Sequence, residues 1–267
     1  MAKDRAGVKL LFDSHAHLDY EKYSDEDRSA VMDRVEASSV AYVVDAGFDI
    51  DSSRQAIKNA NERPWCYAAV GLHPHEAGTL TGENLNTFRE LARAPKVVAF
   101  GEIGLDYYRD YSPRDSQREA FRRQLRLALE TGLPIIIHDR ESGGDTIKIL
   151  KEEEIFARAR VLLHCFSGSA EQAIEYIGLG CTISIAGPVT YKNNKKTARV
   201  AAEIPLERLL IETDAPYLTP EPLRGRQNEP ANVEFVARKV AELRGISYEE
   251  VAAATLENAK RFFNIEQ

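Results

Sequence analysis

Cysteine is scarce in this chain of 267 residues: Cys66, Cys165 and Cys181 are the only three, and none is spaced as a zinc knuckle or a disulfide framework would require. They read as reduced thiols in a reducing compartment. Long apolar runs are missing too, since nothing approaches the roughly 20 residues of a membrane span and the opening MAKDRAGVKL mixes charges with small residues. A soluble, cytoplasmic protein with no membrane partner is expected. Positive charge is also short: 35 Lys and Arg face 42 Asp and Glu, a net charge of −7, which excludes a globally basic coat for nucleic acid but not a local phosphate site. No Gly/Ser/Pro-rich linker, repeat or low-complexity tract divides the sequence, and nothing in it marks an obligate protein partner.

What is present is alternation. Short β-like runs, LLFDSHA, AYVVDAG, CYAAVGL, KVVAFGEI, PIIIHD, RVLLHCF, TISIAG and RLLIETD, are separated by longer stretches of helical period, the pattern of βαβ units on a parallel sheet. Eight such strands in a chain close to the roughly 250 residues of an α/β barrel predict one domain over 1–267, a (β/α)8 TIM barrel, with a doubly wound open sheet as the other arrangement the pattern allows. The clearest helix is expected over 113–131, with Ser112 as cap, Pro113 in its first position, Phe121, Leu125 and Leu129 on one buried stripe, and Gly132 as its stop. After the eighth strand two further helices are expected, 231–245 and 247–263, so that an extra helix closes the chain; Ser247 and Glu250 fit a capping box at the start of the second.

All six histidines lie in four places, DSHAHLD, GLHPH, IIIHDR and LLHCF, each at the carboxyl end of a predicted strand. In a barrel those ends open onto one face, where active sites sit. Gathering so many imidazoles without a partner would cost on the order of 1–3 kcal/mol for each unsatisfied group, and a cation supplies that partner. Alternation along the strand puts Asp13, His15 and His17 on one side, so that His15 and His17 can chelate one ion. Glu102 is expected to end the fourth strand, and Glu212 and Asp214 share one side of the eighth. His15, His17, Glu102, His138, His164 and Asp214 are therefore the expected ligands.

The motifs DSHAHLD, GLHPH, GEIGLDYY, IIIHDR, HCFSG, ETDAPYLTP and RGRQNEP, in that order and across nearly the whole chain, resemble those of the TatD family of metal-dependent deoxyribonucleases within the amidohydrolase-like barrels. The resemblance implies two divalent ions, one on His15 and His17 and a second on His138 and His164, with Glu102 bridging and Asp214 binding near the reactive water. It implies cleavage of DNA phosphodiester bonds by a metal-activated water, and it casts His73 as a contact to the substrate phosphate or an aid to the leaving group, the alternative being a loop histidine with a structural hydrogen bond. Histidine-rich ligation suits Zn2+ or Mn2+, whereas phosphoryl chemistry often uses Mg2+.

Several neighbours take supporting parts. Asp13, Asp106 and Glu212 are expected to accept the free N–H of ligating imidazoles, His75 to be structural, and Asp19 to be a helix-entry residue. TYKNNKK and PLRGRQNEP place Lys192, Lys195, Lys196, Arg224 and Arg226 where barrels often bind phosphate, with Arg109 and Arg140 approaching from other loops and Arg224 the expected substrate contact. Tyr107, Tyr108, Tyr191 and Tyr217 offer rings on which unpaired bases can stack, so single-stranded or end-bound DNA is the expected partner. Hydrolysis of small amides, lactones or phosphoesters on the same barrel is the alternative.

Overall fold

A computed structural model of the chain describes residues 9–18 and 23–265; Asp19 and most of the opening decapeptide lie outside the described residues. Strands β1 (Leu11–Ala16), β2 (Val40–Ala46), β3 (Cys66–Val70), β4 (Val97–Asp106), β5 (Ile135–Arg140), β6 (Val161–Leu163), β7 (Thr182–Ile185) and β8 (Leu209–Ile211) pair in sequence order, every pair parallel. A parallel bridge between Ala16 and Ala215 brings the last strand back to the first, so the arrangement is the barrel and not the open sheet. Helices α1 (Asp25–Ala37), α2 (Ile50–Glu62), α3 (Gly82–Leu91), α4 (Arg114–Thr131), α5 (Asp145–Glu152), α6 (Ala170–Gly178), α7 (Lys195–Glu203) and α8 (Val233–Arg244) follow the strands in turn, and α9 (Tyr248–Phe263) is the extra one. No helix among the described residues is long and apolar enough to cross a membrane.

The period of two along each strand sorts its residues into two cores. Leu11, Val43, Ala68, Ile135, Val161 and Leu209 pack outward with the helices, whereas Phe12, Val44, Ala69, Ile136, Leu162 and Leu210 fill the barrel interior. The end of α9 belongs to that interior: Phe263 stacks on Phe12 with ring centroids 5.6 Å apart, and Phe262 and Ile265 are buried beside it. The extra helix therefore plugs the amino-terminal mouth of the barrel, leaving the carboxyl end open.

Helix boundaries differ in detail from the sequence expectation. Pro113 is the cap residue of α4 and makes no side-chain cap bond, while Ser112 Oγ donates to the carbonyl of His75 and accepts from the amide of Gly78, fastening the loop after β3. Tertiary contact has taken the hydroxyl that local chemistry would have given to the helix. Gly132 does stop α4, at φ 70°. Ser247 caps α9 through the amide of Glu250, one half of the expected box.

The strand carrying Glu102 runs on to Asp106, so Glu102 does not end it. Register slips between Phe100 and Ile103 where β4 meets β5, leaving Glu102 at an irregularity in mid-strand. Glycine makes this possible: Gly104 sits at φ 148°, and a Cβ there would fall 2.0 Å from the carbonyl oxygen of His138. Stability reports on the other end of the barrel, where α9 enters. Phe263→Ala should cost about 3–5 kcal/mol of unfolding free energy in urea, and a loss below about 1 kcal/mol would show that α9 is not the plug.

Candidate metal centre

Residues from several strand ends and from the loop after β3 line one cavity of about 720 Å³ at the open mouth, among them His17, His73, Glu102, His138, His164 and Asp214. His15 lies directly beneath, fully buried, with its ring 4.0 Å from that of His164 and nearly parallel to it. Barrel closure delivers the partnership between the chain's two ends: the amide of Asp214 donates to the carbonyl of His15, and that of His17 to the carbonyl of Ala215. Asp214 adopts φ 55°, a left-handed conformation that Asp tolerates better than most side chains.

Glu102 is 3% exposed and divides its two oxygens. Oε2 lies 3.4 Å from His15 Nε2 and 3.7 Å from His17 Nε2, while Oε1 lies 2.6 Å from His138 Nδ1 and 2.7 Å from His164 Nε2. Asp214 Oδ1 stands on the first side, 3.8 Å from His15 Nε2 and 3.5 Å from His17 Nε2. All six expected ligands therefore meet. The groups able to hold one ion are His15, His17 and Glu102; His15, His164 and Asp214; and His73, Glu102 and His138.

Hydrogen-bond accounting tests whether a cation fits. His17 Nδ1 lies 2.7 Å from the carbonyl of Ala46, which accepts only, so the ring hydrogen is on Nδ1 and the Nε2 lone pair faces Glu102 and Asp214. Its neighbour His15 leaves Nδ1 buried without a hydrogen-bond partner and directs Nε2 at His17 Nε2, 3.3 Å away. Three acceptor atoms, His17 Nε2, Glu102 Oε2 and Asp214 Oδ1, thus surround His15 Nε2 in an arrangement that a proton or a cation reconciles. On the far side Asp106 Oδ2 receives His138 Nε2 at 3.3 Å, freeing Nδ1 to face Glu102 and His164. The donor set fits a divalent ion.

Protonation follows the same logic. Burial opposes the charge on Glu102, but the imidazoles around it, His164 foremost, outweigh it and hold the carboxyl well below the usual range. Burial likewise opposes charge on Asp214, and His17 reverses the balance. Burial and His164 keep His15 neutral, as a ligand must be. Burial lowers His164, yet Glu102 and Glu212 raise it well above a free imidazole, so the anionic centre favours positive charge, which a cation would supply. Cys165 lines the cavity, but burial and then Asp214 push its thiol far up, so it offers no thiolate.

The supporting residues divide. Asp106 accepts from His138 as expected, and also from His75 Nε2 at 2.9 Å; Glu212 Oε1 stands 3.4 Å from His164 Nδ1, which makes no hydrogen bond to it. Asp13 does not serve an imidazole: a register break in β1 between Asp13 and Ala16 turns its carboxylate to the amide and hydroxyl of Thr213. Ser14 and Ser184, which the sequence left unremarked, bind Glu212 Oε2. Arg224 stands off the cavity wall on the ring of Tyr191, 4.4 Å from its centroid, and Lys192, Lys195, Lys196 and Arg226 are exposed farther out. Tyr107 donates to Asp145 and lies under Arg114, which removes it from the candidates for stacking; Tyr217 borders the cavity.

Comparison with known proteins identifies the family. The profile of the family described as TatD related DNase matches residues 12–264. The uncharacterized metal-dependent hydrolase YabD of Bacillus subtilis is 49% identical over 96% of this chain and 100% of its own. A protein of Erwinia tasmaniensis named 3'-5' ssDNA/RNA exonuclease TatD is 37% identical over 96% of this chain and 100% of its own. The crystal structure of YJJV, a TatD homolog from Escherichia coli K12, superposes with a TM-score of 0.89 at 32% identity, covering 97% of this chain and 99% of that one. The chain belongs to the TatD-related DNase family of metal-dependent hydrolases.

Proposed function

We propose that this chain is a divalent-metal-dependent deoxyribonuclease that hydrolyses phosphodiester bonds in single-stranded DNA or at DNA ends. The division of the Glu102 carboxylate carries the reading, with one oxygen toward His15 and His17 and the other toward His138 and His164. Two divalent cations, Mg2+, Mn2+ or Zn2+, would supply charge to offset the phosphodiester and to lower the pKa of an attacking water. His15, His17, Glu102, His138, His164 and Asp214 are the residues that would hold them.

Asp214 is the base in this reading. Its carboxyl is held below the usual range, with His17 outweighing burial, and it faces the His15 and His17 imidazoles from the mouth of the cavity, where a carboxylate can take the proton of a water. His73 supplies a donor. Its Nδ1 accepts from the amide of His75, so the neutral ring carries its hydrogen on Nε2, which points at Glu102 Oε1 from 3.4 Å and lies within reach of a substrate oxygen. Burial holds its pKa at about 4, so the ring stays neutral at pH 7 and leaves the charge balance to the other groups. Arg224 and the exposed cations beyond Tyr191 would meet the strand outside the cavity. The exonuclease name of the Erwinia relative supports a nucleic acid over a small ester. All of 1–267 acts as one domain here, in the cytoplasm, where the three free cysteines stay reduced.

The deciding experiment strips the protein with chelator, restores single ions, and assays end-labelled single-stranded DNA beside a panel of esters, lactones and amides. DNA cleavage should vanish on stripping and return with metal. Hydrolysis of the small molecules without DNA cleavage would overturn the proposal. Asp214→Asn should lower kcat by about 10²- to 10⁴-fold while the Kd for DNA shifts by less than about threefold, and undiminished turnover in that variant would remove Asp214 as the base.

A further inference from the structure

Four of the five arginines of α4 are held by carboxylates, Arg114 by Asp110, Arg118 by Asp115 and Asp145, Arg122 by Glu152 and Glu153, and Arg126 by Glu153, while Arg123 donates to the carbonyl of Leu80. Arg109 and Arg140 break that pattern. Among the described residues neither is paired with a carboxylate; both guanidinium groups lie instead at the ring of Tyr108, Arg140 at 4.0 Å and Arg109 at 5.6 Å from its centroid. Both also line the cavity that contains His138 and His164. Two cations gathered at one ring repel each other, and an anion received between them relieves the repulsion while gaining charge-assisted hydrogen bonds.

Beside this pair stands Tyr111, 68% exposed, the largest exposure among the large hydrophobic side chains described. Its ring meets His75 at an angle of 62° with centroids 4.7 Å apart, on the wall of the same cavity. Tyr108, Tyr111 and Tyr217 are three of the four large hydrophobic side chains that are exposed, and Tyr111 and Tyr217 border the cavity itself. The loop that carries Tyr108 and Arg109 is fastened, since Asp106 Oδ1 accepts from both of their amides. An exposed ring beside unpaired guanidinium groups has the composition of a site for an unpaired nucleotide.

We infer that Tyr111 and the Arg109, Tyr108 and Arg140 stack form a nucleotide subsite: the Tyr111 ring takes an unpaired base next to the scissile bond, and the two guanidinium groups take the phosphate of that nucleotide. The inference rests on the nuclease reading above and adds to it the residues that grip the strand. A base in a duplex reaches Tyr111 only by leaving its partner, so this subsite makes strand opening a condition of productive binding.

The test pairs a change in the enzyme with a change in the substrate. End-labelled oligonucleotides carrying one abasic site, moved stepwise past the scissile phosphate, are compared with the intact strand. In the wild type one position should raise KM by about tenfold, the effect of losing one stacked base. Tyr111→Ala should abolish that difference and Tyr111→Phe should keep it. Replacing Arg109 and Arg140 with Gln should flatten the slope of log KM against log salt by about 0.7 for each phosphate that is no longer neutralised. A wild type that leaves the intact strand uncut overturns the nuclease reading, and the subsite with it. A wild type that cuts intact and abasic strands with equal KM, or a Tyr111→Ala variant that keeps the penalty, overturns the subsite alone.

Discussion

Burying the Glu102 carboxylate is the constraint around which the open end of the barrel is arranged. An ionised carboxylate at 3% exposure survives only among charges and donors, and five imidazoles, those of His15, His17, His73, His138 and His164, stand within 3.7 Å of its oxygens. No local segment can provide such a shell. It takes β1, β5, β6 and the loop after β3 converging on β4, and that convergence exists because parallel strands closed into a barrel present their carboxyl ends to one side. Closure of β8 on β1 adds Asp214. His164 and His73 favour the anion while His17 keeps a lone pair directed into the gap, so the shell that keeps Glu102 charged also leaves donor atoms for a cation.

Much of this was legible in the sequence for a physical reason. Strands buried on both faces are apolar runs, so a polar residue at the end of one stands out, and six histidines at strand ends already implied a shared face. The eight strands appear where the runs predicted them. What could not be read was the work of contacts distant in sequence. Ser112 had the right chemistry to cap α4 and is engaged instead by a loop 37 residues earlier. For α9 the sequence offered a range and a cap, and nothing local announced that Phe263 would stack on Phe12.

The site repeats the lesson at smaller scale. Strict alternation put Asp13 beside His15, but the register break in β1 sends it to Thr213, and such irregularities leave no signature in a single sequence. Glycines at 101 and 104 were the visible trace of the irregularity in β4, since each occupies a φ that disfavours a side chain. Ser14 and Ser184 acquire meaning only once Glu212 is seen buried between them. Tyr111 sat unremarked next to a helix start; only its exposure and its nearness to His75 single it out.

Asp106 joins two tasks that are usually kept apart. One of its oxygens receives imidazole hydrogens from His75 and His138, and the other receives the amides that shape the loop of Tyr108 and Arg109. A single rigid carboxylate is therefore shared between the inner coordination of the pocket and its outer wall, and a restraint applied to either oxygen is felt at the other. Whatever fixes the His138 ring has already met part of the entropic cost of ordering the loop, and whatever steadies the loop returns the same free energy to the ring. By linkage any coupling through Asp106 is reciprocal, so a change in order at the His138 ring and one at the loop would act on each other by one common factor.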